Sequence, residues 1–151
     1  MMRSRLSEAL KEAMKARNER AVSTLRLILA ALKDRDIAAR GKGNTEGISE
    51  DEIVAMLHQM VKQRRESIQL YEQGGRCDLA EQEQEEIGII QRFMPEQLAE
   101  AEVKNAVESL IKEIGAIGIK DMGRTMAALK QRYPGQMDFA KASGIVRQHL
   151  A

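Results

Sequence analysis

The sequence predicts an all-α protein: an N-terminal helical bundle of about four helices followed by a small three-helix C-terminal unit. Three observations carry this. Apolar residues recur every three or four positions in segment after segment, and no segment sustains period-two alternation. Aromatics make up 3% of the 151 residues and Trp is absent, so Leu, Ile, Met and Ala must fill the core, a set that suits helices better than sheets. Gly and Pro clusters cut the chain into helix-length pieces.

The first helix is expected from about Arg3 to Ala16, on the stripe Leu6, Leu10 and Met14 with Ala9 and Ala13 beside it. Asn18 breaks the run and can cap a second helix over about Glu19 to Ala39, whose stripe is Val22, Leu25, Leu29 and Leu32 with Ile28. Three glycines mark Arg40 to Gly47 as a loop. Ser49 and Glu52 form a capping box for a third helix, with Ile53, Leu57, Met60, Val61, Arg64, Ile68 and Tyr71 on one face. Its length admits a stalk projecting from the bundle, ended by Gly74-Gly75. The fourth helix is expected over about Leu79 to Phe93, capped by Asp78, with Ile87, Ile90 and Met94 inward and an acidic outer face from Glu81 to Glu86. Gly88 inside it costs about 1 kcal/mol against Ala, and a close helix crossing would account for it.

Met94-Pro95 marks a boundary, because the residue before proline disfavours the helical region. The domains are therefore residues 1–94 and 95–151. In the second, a fifth helix runs from Glu96 or Ala99 to Ile114, with Val103, Val107, Leu110 and Ile111 inward. Asp121 is expected to cap a sixth, Met122 to Arg132, with Met122, Met126 and Leu129 inward. Asp138 is expected to cap a seventh, ending near Leu150, with Ala142, Ile145, Val146 and either His149 or Leu150 inward.

The net charge is +1, unevenly spread. Residues 1–45 hold 11 Lys/Arg and 5 Asp/Glu; residues 46–75 hold 3 and 6; residues 76–102 hold 2 and 8; residues 103–151 hold 8 and 4. With no overall basic field, any contact with nucleic acid must be local. Cys77 is the only cysteine, which points to a reducing compartment, the cytoplasm. The N-terminus has positive charge but no apolar core of a signal peptide, and no stretch has the ~18 apolar residues of a membrane span.

Phosphate-loop, dinucleotide and nucleophile-elbow signatures are missing, and a single Cys with two distant histidines, His58 and His149, makes no zinc set. No catalytic residue, metal or cofactor is therefore expected. One cluster invites a role: Lys62, Arg64 and Glu66. Arg64 shares a stripe with Ile53, Leu57, Met60 and Ile68, and a guanidinium turned toward a core needs an anion. Asp78, Glu83 and Glu86 could supply one, as a structural ion pair between the third and fourth helices. The alternative is a ligand clamp in a pocket between those helices. In the C-terminal unit Lys120, Arg124, Lys130, Arg132, Lys141 and Arg147 surround two helices and could neutralise phosphates. Only Tyr133 and Phe139 accompany them, so a folded RNA read by shape and backbone fits better than stacked single strands.

The runs KQRRES (62–67), GGRCDLAEQE (74–83), MPEQL (94–98), DMGRTM (121–126) and ASGIVRQHL (142–150) together resemble the YqeY family over essentially the whole chain. That family is a stand-alone relative of the C-terminal tail of GatB, a subunit of the tRNA-dependent amidotransferase. The resemblance implies two all-α units and a tail that contacts the body of a tRNA. It therefore implies tRNA as partner, with the amidotransferase or other translation components beside it. It also carries a label of carbon–nitrogen ligase with glutamine as amido-nitrogen donor, which comes from the shared tail and not from a catalytic centre. A protein–protein adaptor docking through the acidic fourth helix is a further alternative. Three positions depart from the family pattern. Arg124 stands where Lys is common, Ala127 where Gly is common, and Phe139 where Gly is common, which presents a bulky ring at that turn.

Overall fold

The computed structural model describes residues 1–151 and contains seven α-helices and no strand. They are α1 (Met2–Lys15), α2 (Glu19–Gly41), α3 (Glu50–Gln73), α4 (Cys77–Gln91), α5 (Glu100–Ile114), α6 (Met122–Arg132) and α7 (Phe139–Leu150), with a 3-10 turn at Ile119–Asp121. The chain divides into two compact units, Met1–Met94 and Pro95–Ala151.

In the first unit the stripes of α1 to α4 converge on one core, except that Met14, expected on the α1 stripe, is 51% exposed at the end of the helix. Leu6, Ile28, Ile53, Leu57, Ile87 and Ile90 are fully buried in it. Each contributes about 1.5–3 kcal/mol by leaving water. Met56 is as deeply buried, though it lies off the expected stripe. The local caps form as their chemistry requires: Asn18 Oδ1 accepts the Ala21 N–H at 3.2 Å, and Ser49 and Glu52 exchange hydrogen bonds at 3.2 and 3.3 Å.

The loop before α3 is held from a distance. Arg3 Nη2 donates to Asp36 Oδ1 at 2.7 Å and to the Ile48 carbonyl at 2.9 Å, and Asp36 Oδ1 accepts the Ile48 N–H at 2.9 Å. Gly47 lies against this pair with φ +87°, and a Cβ there would stand 2.4 Å from Asp36 Oδ1. Glycine is required twice over, by backbone conformation and by space.

Three expectations for α3 and α4 are corrected. The long α3 is not a stalk, because α4 turns back along it and Ile68 packs on the core. Asp78 does not cap α4: the helix starts at Cys77, and the Asp78 carboxylate is taken by Arg76 at 3.3 Å. Gly88 marks no close helix crossing, since it is exposed and a Cβ would meet nothing within 4 Å.

The second unit has its own core of Val107, Leu110, Leu129, Ala142 and Val146. Its extended start is tied in by Gln97 Nε2, which donates to the Pro95 and Gly135 carbonyls at 2.6 and 2.7 Å, and by the Leu98 N–H to the Gln136 carbonyl at 2.9 Å. Helix α5 opens at Glu100, with Glu102 Oε1 accepting the Ala99 N–H at 3.2 Å, and closes at Gly115 in the left-handed region. Asp138 caps α7 through the Ala140 N–H at 3.0 Å. Asp121, by contrast, makes no side-chain cap to α6. Its carboxylate reaches back instead to the Ile117 N–H at 3.0 Å. At the chain end Leu150 is buried, while His149 is exposed and faces Glu108 at 3.6 Å.

Candidate nucleic-acid interface

Of the Lys62, Arg64 and Glu66 cluster, only Arg64 turns inward. At about 100° per residue, Lys62 and Glu66 share one side of α3 and Arg64 lies on the other; both flanking residues are exposed. Arg64 Nε donates to Glu86 Oε2 at 3.0 Å, with Glu83 Oε2 at 3.9 Å, and its Nη1 donates to the Met60 carbonyl at 3.2 Å. Arg20 approaches the other Glu86 oxygen at 4.0 Å. The Arg64 and Glu86 side chains are only 12% and 11% exposed. Burial, then the neighbouring Glu86 charge, pushes the Glu83 carboxyl above its ordinary value, while Arg64 pulls it down. This geometry joins α3 to α4 and satisfies the guanidinium, and it leaves Lys62 and Glu66 out of any pocket with Arg64.

The six cations of the C-terminal unit fall into two groups. Arg124 and Arg132 are held within the fold. Arg124 bonds Asp121 and donates to the Ile114 carbonyl at 3.0 Å, and Arg132 makes a two-pronged pair with Glu113. Lys120, Lys130, Lys141 and Arg147 are exposed and enter no ion pair. Lys130 Nζ stands 5.9 Å from the Phe139 ring centroid, and that ring packs on the second core, so it is not presented to solvent as the departure from glycine suggested. By helical geometry the six ring α6 and α7 and do not line one face: Arg124 and Lys130 lie about 120° apart, as do Lys141 and Arg147.

Cations outnumber acids on this segment, and both acids are engaged in local hydrogen bonds. Residues 120–150 hold six Lys/Arg and two Asp. Asp121 accepts the Ile117 N–H and pairs with Arg124, and those two contacts, the first foremost, hold its carboxyl below the usual range. Asp138 is committed to the α7 cap. The Asp121 network also fixes the loop after α5, which displays Ile117 and Ile119 at 82% and 51% exposure beside Lys120. The sequence does not single out these isoleucines; Gly115 and Gly118, which bracket Ile117 and precede Ile119, are the available signal.

The sequence profile of the YqeY family, described as Yqey-like protein, matches residues 3–150. The chain belongs to the YqeY family. Among relatives similar to it is "Altered inheritance of mitochondria protein 41, mitochondrial" of Lachancea thermotolerans, 32% identical over 111 residues, which are 72% of this chain and 57% of that protein. The protein of the same name from Clavispora lusitaniae is 34% identical over 116 residues, 75% of this chain and 64% of the relative. In Eremothecium gossypii the match is 36% over 89 residues, 59% and 46%. This YqeY chain spans about half the length of the curated relatives it matches. No helix is long and apolar enough to cross a membrane.

Proposed function

We propose that this YqeY protein is an accessory RNA-binding protein whose C-terminal unit docks on the backbone of a folded RNA, a tRNA first, in support of tRNA-dependent amidation or another step of tRNA metabolism. It supplies binding and leaves the chemistry to partners in translation. The observation that carries the reading is the surface of residues 120–150, where six cations meet two acids, both acids are hydrogen-bonded locally, and Lys120, Lys130, Lys141 and Arg147 are left to solvent. Cations spread around two short helices suit an irregular, folded polyanion better than a flat one. The reading favours the cytoplasm; the fungal relatives carry "mitochondrial" in their names.

Filter retention of total tRNA over a salt series tests this. The expected outcome is retention at low salt that falls steeply as salt rises, and loss of most of it when Lys120, Lys130, Lys141 and Arg147 become Ala. No retention at low salt, or full retention by the variant, would reject the proposal. A glutaminase assay with and without misacylated tRNA tests the ligase alternative, for which silence is expected.

A further inference from the structure

The N-terminal unit carries a second basic surface that the C-terminal reading does not use. Helix α2 buries Thr24, Leu25, Ile28 and Leu32, and its opposite face is open. Along that face run Arg26, Lys33 and Arg40, seven residues apart, all exposed and none in an ion pair. Seven residues are nearly two turns, so the three stay within about 40° of one another and about 10 Å apart along the axis. At the start of the stripe Arg17, Glu19, Val22, Ser23 and Arg26 line a cleft of about 270 Å³. Arg17 reaches it from the α1–α2 turn, held at φ +56°. The neighbouring acids offset little of this charge. Asp36 is engaged first by Arg3 and Ile48 and also lies close enough to Arg40 to feel its charge, and Glu19 stands at the cleft and Asp34 beside Lys33.

We infer that the outward face of α2 is a second contact surface for RNA backbone, with Arg26, Lys33 and Arg40 as a line of phosphate-binding cations and Arg17 closing its end. The inference rests on the RNA reading above for the identity of the polyanion. The arrangement discriminates against other anionic partners. A helix lying in a membrane interface buries a continuous apolar face and keeps its cations to the flanks, whereas here Ile37 is the one large exposed apolar residue beside the line of cations and Leu27 lies to one side. A docked protein helix would bury three cations along its seam, a cost only paired carboxylates could offset.

The test is fluorescence anisotropy of labelled total tRNA with the full chain over a salt series. It compares the wild type, R26A/K33A/R40A and K120A/K141A/R147A, with folding checked by circular dichroism. Each lost phosphate contact flattens log K against log salt by roughly 0.7–0.9, so the stripe variant should lose about 2–3 from the slope. The charge-preserving R26K/K33R/R40K should keep it. An unchanged slope in R26A/K33A/R40A, with loss confined to the C-terminal variant, overturns this inference and leaves the proposed function standing. Loss in the stripe variant alone supports the inference and rejects the C-terminal surface. A wild type that leaves tRNA unbound overturns both. The inference also fails if the wild type sediments with vesicles of equal parts phosphatidylcholine and phosphatidylserine through the same residues and ignores tRNA.

Discussion

Replacing Arg64 by Ala should destabilise the N-terminal unit by about 2–3 kcal/mol. Breaking a fully buried pair costs about 3–5 kcal/mol, chiefly because the surviving charge stays buried. Glu86 is 11% exposed, so the pair is not fully buried, and it would keep Arg20 at 4.0 Å, so the cost falls just below that range. The gross attraction at 3.0 Å is about 5–6 kcal/mol at an effective dielectric constant of about 20, and desolvation offsets most of it. It follows that R64M/E86L, which removes both charges, should recover to within about 1 kcal/mol of wild type. Urea unfolding read by circular dichroism gives the totals, and hydrogen exchange of α3 and α4 amides assigns the loss to this unit. A cost below about 0.5 kcal/mol for R64A, the level of a surface substitution, would refute the reasoning and make Arg64 available as a ligand clamp. So would a double variant less stable than either single one.

Three further outcomes are expected. Gly88→Ala should stabilise by about 0.5–1 kcal/mol in thermal unfolding, because the site is helical and open and Ala restricts the unfolded chain. Gly47→Ala should destabilise by about 2–4 kcal/mol, combining a left-handed backbone with displacement of the Arg3–Asp36 pair; in an Asp36→Ala background the steric part of that penalty should be lost and the backbone part should remain. Arg3 foremost, with the Ile48 N–H, holds the Asp36 carboxyl below its ordinary value. Its stabilising contribution is therefore full above about pH 4 and is lost as pH falls through the folded value, and Asp36→Asn should remove that part of the acid sensitivity.

What could be read from sequence was what depends on near neighbours. Asn18, Ser49 and Asp138 act as caps because each needs only a backbone N–H two or three residues on. Asp78 and Asp121 have the same chemistry but a stronger local competitor: Arg76 in one case, the Ile117 N–H and Arg124 in the other. The sequence offers three candidate anions for Arg64, and the antiparallel pairing of α3 and α4 selects Glu86, with Glu83 at the margin. The Arg3–Asp36–Ile48 clasp went unforeseen because its partners are 33 and 45 residues from Arg3. For the interface, the cations were visible as residue types. Which of them are consumed inside the fold depends on where Glu113 and the Ile114 carbonyl lie, and only the packing of α5 on α6 decides that.

The most direct test of the RNA-binding reading is ultraviolet crosslinking of the protein in its own cells, with sequencing of the RNA recovered and mass spectrometry of the crosslinked peptides. The reading predicts tRNA enriched over an untagged control, with crosslinks on peptides that include Lys120 to Arg147. Recovery of no RNA above control, or crosslinks that avoid both this segment and the outward face of α2, would contradict it.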